Sequence, residues 1–389
     1  MARPAALDGI TVLDFASVGP AARCSRILAD YGATVVKVAP TPRKGALQIE
    51  PPFYSYGAGR GLKRVRIDLK APEGKDAFMR LAASADVVIE SFRPGVVDRL
   101  GIGYDDVNKV NAAIVYCSTS GFGQTGPAMK RAGHDLNYLA VGGFLACTTP
   151  RGDEGPPIPG ATVADSAAGG MHAAIAILAA LLRRGATGKG EYLDVSVADG
   201  VLQLMSLHID SYLATGEEPG VGRDILTGRY ACYDSYRTRD GKWMSVGAIE
   251  SIFYANLCKA LGCEQWLEHQ TSDEKQDEIR ADFARAFAAR DRDAWVDVFA
   301  TIDTCVAPVY SIAELVDDEQ YAARGAFVEA EHPERGRFRQ VGPVLAGMSR
   351  PDGAYRVRDA SVTDTDELLL GAGLTAKEID EMKSQGVVA

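Results

Sequence analysis

The strongest constraint on this chain lies in its first 200 residues. Short runs of aliphatic and β-branched residues alternate there with stretches whose apolar positions recur at helical spacing. Residues 9–16, GITVLDFA, read as a short buried strand. The turn SVGP follows, and Pro20 suits the first turn of a helix, where a missing N–H costs nothing. Residues 21–31 carry helical periodicity, Gly32 is placed to stop it, and ATVVKV is a second strand. Strand, short crossover helix and strand make a βαβ unit, whose strands run parallel. The pattern continues with a helix over 72–84, the strand DVVIESF, a helical stretch over 94–100 and the strand AAIVYCSTSGFG. Such alternation predicts an α/β fold with a largely parallel, doubly wound sheet. The first turn lacks GxGxxG, so a nicotinamide or flavin site is not indicated.

Residues 165–184 predict a long Ala-rich helix, GKGEYLDVSVAD a turn and strand, and 199–215 another helix. GEEPGVGRD has the Gly and Pro content of a linker. In YACYDSYRTRDGKWMSVGAIE, two strands joined at Asp240-Gly241 predict a hairpin. Helices follow over 252–261, 273–289 and 292–300, and a last one over 375–385. The expected division is a large domain over 1–200, a linker helix and loop over 201–223, a small α+β domain over 224–330 and a C-terminal segment over 331–389.

Composition excludes several classes of function. Lys and Arg total 42 against 52 Asp and Glu, a net charge of -10, so no excess positive field attracts a nucleic-acid backbone. The longest apolar stretch, 171–182, is short for a membrane span, and the N-terminus lacks a secretory hydrophobic segment. The seven cysteines are odd in number and irregularly spaced, which argues against a disulfide framework. Neither CxxC nor HExxH occurs, so no metal site is expected. The expectation is a cytoplasmic, metal-independent protein.

Three positions are candidates for chemistry. His134 follows Gly133 and precedes Asp135, where a loop enters the apolar segment LNYLAVGGFLA. A side chain there is held in place beside backbone N–H groups that lack helical partners and can receive a developing oxyanion; His134-Asp135 is equally an ordinary cap. Asp165 opens the long helix as an N-cap carboxylate. The small residues after it, Ala167 to Gly170, leave room for a ligand or another backbone. Glu250 ends WMSVGAIE, placed either to orient an imidazole or to start a helix in solvent. The basic residues Arg60, Lys63, Arg64, Arg66 and Lys70, with Arg93 and Arg99 after a later strand, suit either a phosphorylated ligand or a solvated face. His172 and His208 lie in apolar helical patterns and His269 and His332 among charges, so none of the four is a candidate.

In order and spacing, GRGLKRVRIDLK, SFRPGVVDRLGIGYDD, STSGFGQTGP, AGHDLNYLAVGG, VADSAAGG, GKGEYLDVSVADG and VGAIESIFY resemble the family III CoA-transferases (the CaiB/BaiF type). Within them the likeness is to the α-methylacyl-CoA racemases. The resemblance implies an interlocked homodimer with a Rossmann-like large domain, built from both chain ends, and a smaller α+β domain, with sites at the subunit interface. It implies an acyl-CoA substrate and no cofactor beyond its CoA moiety. His134 and Asp165 would be the acid and base at the substrate α-carbon, with Glu250 supporting the His. Arg60, Arg66, Ile67, Asp68, Leu69, Arg93, Arg99, Gly133, Asp135, Asn137 and Tyr138 would bind the CoA ester. The expected activity is therefore inversion of the α-carbon of 2-methyl-branched acyl-CoA thioesters. The alternative is CoA transfer between carboxylic acids with Asp165 as nucleophile; a non-catalytic CoA-binding protein is the third class. The sequence departs from the family where Pro40 stands in place of a CoA-phosphate Arg, for which Arg43 is the candidate substitute. The run SAAGG, less Gly-rich than usual, is expected to narrow the acyl pocket.

Overall fold

The computed structural model describes residues 4–42, 52–55, 59–148, 155–350, 353–359 and 361–389. The chain divides into two compact units: Met1–Gly142, Pro159–Leu204 and Glu319–Ala389 make the first, Gly143–Ile158 and Met205–Asp318 the second. Arg43 lies outside the described residues.

The first unit is built on a six-stranded sheet of β1 (Thr11–Asp14), β2 (Thr34–Ala39), β3 (Leu62–Arg66), β4 (Val87–Glu90), β5 (Val115–Ser120) and β6 (Glu191–Ser196), in the order β3-β2-β1-β4-β5-β6. Every pairing is parallel. The strand order reverses between β1 and β4, and in open parallel sheets such a reversal leaves a crevice at the strands' carboxyl ends. All four residues of β4 are buried, so both faces of the central strand must be apolar and the sequence reads as a continuous run rather than an alternation. Strand β3 coincides with the basic cluster, whose charges hide it from a hydrophobicity reading.

Helices α1 (Gly19–Asp30), α2 (Pro72–Ala83), α3 (Val96–Leu100), α4 (Tyr104–Val110) and α5 (Asp135–Val141) follow along the chain; α6 (Phe144–Cys147) belongs with the second unit. Ala164–Met171 is a π-helical segment that continues as α7 (His172–Thr187), and α8 (Val197–Leu204) follows β6. One core layer joins Cys24 and Leu28 of α1 and Ile177 of α7 to Val35, Ile89 and Cys117 of the sheet. The other joins Phe78 and Leu81 of α2 to Val88 and Tyr116, and also to Leu369, Ile379, Met382 and Val388 from the chain's end. Ile67 bridges Val388, and the Asp68 N–H donates to the Val387 carbonyl (2.7 Å), which sutures the C-terminus beside β3.

Two features of this unit differ from expectation. Ala164–Thr187 is one helical run of 24 residues containing an 18-residue stretch of mean hydropathy 1.5, long and apolar enough to cross a membrane by length and composition. The sequence reading measured only its uncharged middle; its buried side, Ala173, Ala174, Ile177 and Ala180, packs on the sheet. The boundary expected at 330–331 falls inside β10 (Phe327–His332), which pairs with β11 (Gly336–Val341) from Phe327↔Val341 to His332↔Gly336. β12 (Tyr355–Arg356) adds a parallel strand to that hairpin.

In the second unit, α9 (Ser206–Thr215) is separated from α8 at Met205, where one continuous helix was expected. β7 (Tyr233–Arg237) and β8 (Trp243–Gly247) form the expected antiparallel hairpin, with Gly241 at φ 79° in its turn, and β9 (Val306–Pro308) pairs with β8. Helices α10 (Ser251–Leu261), α11 (Gln276–Phe287) and α12 (Arg292–Phe299) supply Leu257, Phe283, Phe287 and Trp295 to the core under this sheet. Tyr236 stacks on Phe287 at 5.2 Å.

Candidate active site

The carboxyl ends of β1, β4 and β5 open into one cavity of about 430 Å³, at the reversal of strand order. Its wall includes Val18 to Pro20 after β1, Ser91 to Pro94 after β4, Thr119 to Gly121 at the end of β5, and Val197. His134, Asn137, Tyr138 and Asp165 complete it, with Arg131 close to the imidazole in sequence. His134 and Asp165, 31 positions apart in sequence, thus face the same space.

Each is held by its neighbours. His134 is the N-cap residue of α5, with extended backbone (φ -127°, ψ 175°), and its N–H donates to Asn137 Oδ1 (3.0 Å). Its ring is exposed. Tyr138, one turn on, is buried, and its hydroxyl donates to the Gly133 carbonyl (2.6 Å), clamping the loop that leads to His134. That clamp explains two glycines: a Cβ on Gly133 would lie 2.7 Å from the Tyr138 ring and one on Gly121 2.4 Å from its hydroxyl. Asp135 Oδ1 accepts from the Asp165 N–H (2.8 Å), so α5 and the π-helical segment are tied together at the cavity wall.

Asp165 lies in the first turn of the π-helical segment, its side chain 19% exposed, and Arg23 Nη1 of α1 is 3.7 Å from its Oδ2. Burial pushes the Asp165 carboxyl above its ordinary value; Arg23 and, less strongly, His134 pull it back, and the Asp135 carboxylate adds to the rise. A widened helical turn is common at functional sites. The small residues behind Asp165 accommodate backbone rather than ligand. A Cβ on Gly169 would meet Pro20 Cβ at 2.5 Å, one on Gly170 Arg23 Cβ at 2.8 Å, and one on Gly200 of α8 the Ala168 carbonyl at 2.0 Å. The run SAAGG therefore sets how closely α1 and α8 approach; Ala168, Gly169 and Gly170 are buried between them and do not line the cavity.

The remaining expected residues fall in several places. Arg93 is exposed and lines the cavity with His134 and Asp165. Arg99, also exposed, lines an adjoining cavity of about 530 Å³ with Lys130, Tyr104 and Tyr192; Pro94 and Met129 border both. Arg60 lines neither. It is 2% exposed, its guanidinium donates to both Asp30 oxygens (3.2 and 2.8 Å) and to the Val341 carbonyl (2.8 Å), and it lies over the Tyr355 ring. The resemblance gives this group to CoA; here it is engaged in a buried ion pair, and turning it toward a phosphate would strand Asp30. Arg66, Ile67, Asp68 and Leu69 line neither cavity; the first three bond to the chain terminus, and Ile67 is 1% exposed. Pro40 is exposed just after β2. Glu250, in the second unit, is the exposed N-cap residue of α10, and its carboxylate makes no side-chain hydrogen bond among the described residues. Sequence reasoning missed Arg23, Lys130 and Arg131. The pair Lys130-Arg131 just ahead of GHD was a legible signal; Arg23, one cation in a helix, carried none.

The parallel α/β architecture is shared with known proteins. The family model of CoA-transferase family III matches residues 7–358. The chain belongs to that family. Alpha-methylacyl-CoA racemase of Homo sapiens is 35% identical over 386 residues, 98% of this chain and 97% of that protein. Succinyl-CoA--D-citramalate CoA-transferase of Chloroflexus aurantiacus is 29% identical over 403 residues, covering 99% of this chain and 98% of that protein. The crystal structure of a CaiB/BaiF family protein from Brucella suis matches with a TM-score of 0.76 at 25% identity, over 96% of this chain and 100% of that one. Family III thus holds relatives named as racemases and relatives named as transferases.

Proposed function

We propose that this family III protein is an acyl-CoA racemase or epimerase that inverts the α-carbon of 2-methyl-branched acyl-CoA thioesters. The observation that carries the reading is the convergence of His134 and Asp165 on one cavity. The thioester carbonyl makes the α-proton removable by delocalising charge as an enolate. Inversion requires one group to take the proton and another to return one to the opposite face. His134 takes it from one epimer and Asp165 protonates the enolate from the other side; the roles reverse for the second epimer. Positioned acid–base groups contribute roughly 10²–10⁴-fold. Stabilisation of the enolate oxygen must supply much of the remainder, and the first two N–H groups of α5, those of Asp135 and Leu136, lack helical acceptors.

Arg93 and Arg131, on the wall of the same cavity, are assigned to the CoA phosphates. Glu250 is assigned as the orienting partner of His134, supplied by a second copy of the chain. Its exposed carboxylate, without a hydrogen bond of its own among the described residues, supports that role. A homodimer is further supported by apolar side chains left in solvent: Ile175 and Leu182 on α7, Leu202 and Leu204 on α8, and Leu207, Tyr212 and Leu213 on α9, which buries nothing. The strand order supports a Rossmann-like description of the large unit.

Proton NMR of 2-methylacyl-CoA esters in D₂O tests the reading. Deuterium enters the α-position without any acid acceptor, and His134→Ala and Asp165→Ala each abolish exchange while CoA-ester binding persists. Exchange at near-normal rate in either variant refutes the two-base scheme. CoA transfer to added carboxylic acids with hydroxylamine trapping at Asp165, and no deuterium entry, assigns the chain to the transferases, in which Asp165 is the nucleophile.

A further inference from the structure

Arg23 lies outside the cavity wall, yet the wall's carboxylate leans on it. Its Nη2 donates to Thr162 Oγ1 (2.6 Å), three residues ahead of Asp165, and its Nη1 stands 3.7 Å from Asp165 Oδ2. Both side chains are 19% exposed, so water screens the pair only in part. The approach is built into the packing. Gly169 and Gly170 admit Pro20 and Arg23 of α1 against the π-helical segment, and any side chain at Gly170 would occupy the space of the Arg23 Cβ. Asp165 is thus held from three sides. Its N–H is fixed by Asp135 Oδ1 on α5, its carboxylate faces Arg23 on α1, and His134 and the Tyr138 phenol share the cavity in front.

We infer that Arg23 is a positioning residue that aims Asp165 at the cavity and holds the His134–Asp165 pair to the single proton the reaction passes between them. The inference rests on the two-base reading above and deepens it. Asp165 has a neighbouring carboxylate, Asp135, and a partly buried setting, both of which favour its protonated form. Without a counter-charge, more of the enzyme at a given pH would carry a proton on both groups, and that form has no base. Arg23 supplies the counter-charge from behind, where substrate does not compete for it.

The test compares Arg23→Met and Arg23→Lys with the unaltered protein. An opposite charge at this range lowers a carboxyl pKa by roughly 1–3 units, and partial exposure places the expectation at about one unit. In Arg23→Met the acid limb of the pH profile of kcat/KM for α-proton exchange moves up by about one unit. It does so equally for both epimers, because both directions draw on the same singly protonated enzyme. Arg23→Lys restores most of the position. A uniform fall in rate across all pH values with the limb unmoved overturns the inference and leaves Arg23 a packing residue. The Asp165 carboxyl is also titrated directly, by NMR of aspartate carrying ¹³C in the carboxyl group, with Asp165→Asn identifying the resonance. A midpoint that moves up in Arg23→Met upholds the electrostatic role even if the unaltered protein exchanges no α-protons, in which case only the racemase reading falls; an unmoved midpoint overturns the inference.

Discussion

Replacing Gly169 with Ala adds one methyl group at the point where the site meets the scaffold. The new Cβ would stand 2.5 Å from Pro20 Cβ and 3.0 Å from Val197 Cγ2. Carbon atoms rest at about 3.5–4.0 Å, and the pyrrolidine ring cannot swing aside, so α1 must withdraw from the π-helical segment by about 1 Å. Overpacking of this kind costs roughly 1–3 kcal/mol. The gain from replacing a helical Gly by Ala is only about 0.5–1 kcal/mol, so the net is a loss of roughly 1–2 kcal/mol. Because α1 carries Arg23, the withdrawal also slackens the hold on Asp165, and a shift of about 1 Å at a reacting group can lower rate roughly 10²-fold. Gly185→Ala is the matched control: it adds the same methyl to an exposed turn of α7 with nothing within 4 Å, and should raise stability by about 0.5–1 kcal/mol at unchanged rate. Urea unfolding read by circular dichroism gives the stabilities, and α-proton exchange gives the rates. If Gly169→Ala unfolds at the same urea concentration as the unaltered protein and exchanges at full rate, the close approach of α1 does not set the site.

Two further outcomes follow from buried charges. Arg60→Met leaves Asp30 without its main partner; Arg26, 2.7 Å from the same carboxylate, remains, so the loss should fall near the lower end of the roughly 3–5 kcal/mol typical of a broken buried pair. Urea unfolding measures it, and KM for the CoA ester should not change; a raised KM at unchanged stability would return Arg60 to the ligand. Glu90, 2% exposed at the end of β4, has its carboxyl pushed up to about 7 by burial, against bonds from Ser118 and the Phe92 N–H. A group whose folded value is raised contributes its stability fully below its unfolded value, near 4.5, and loses it as pH rises through about 7. Glu90→Gln should therefore match the unaltered protein near pH 4.5 and exceed it by a few kcal/mol at most at pH 8, at about 1.4 kcal/mol per unit of separation. Equal unfolding midpoints at both pH values would refute this.

The local calculus of the chain was legible without coordinates. Apolar runs fixed β1, β2, β4 and β5; Pro20 and Gly32 bracketed α1; Asp240-Gly241 marked the hairpin of β7 and β8. Each of these depends on side chains within a few positions of one another, and the structure places them within three residues of expectation. His134 and Asp165 were legible as candidates because each stands at the start of a helix. Elements whose pattern depends on distant partners were not legible. β3 is written in cations because its neighbours lie along one edge, and the β10–β11 hairpin was divided by a boundary drawn on composition.

What tertiary structure alone decided is the partnership of groups far apart in sequence. Arg60 and Arg93 look alike in a string of letters; one is locked onto Asp30 in the interior and the other stands on the cavity wall. The glycines after Asp165 read as room for a ligand or for another backbone, and the fold decides for backbone, filling that space with α1 and α8. Arg23 carried no signal because its meaning is its separation from Asp165, set by how closely two helices pack. Propensity and periodicity are short-range properties and can be read from sequence; burial and pairing depend on which surfaces the folded chain brings together.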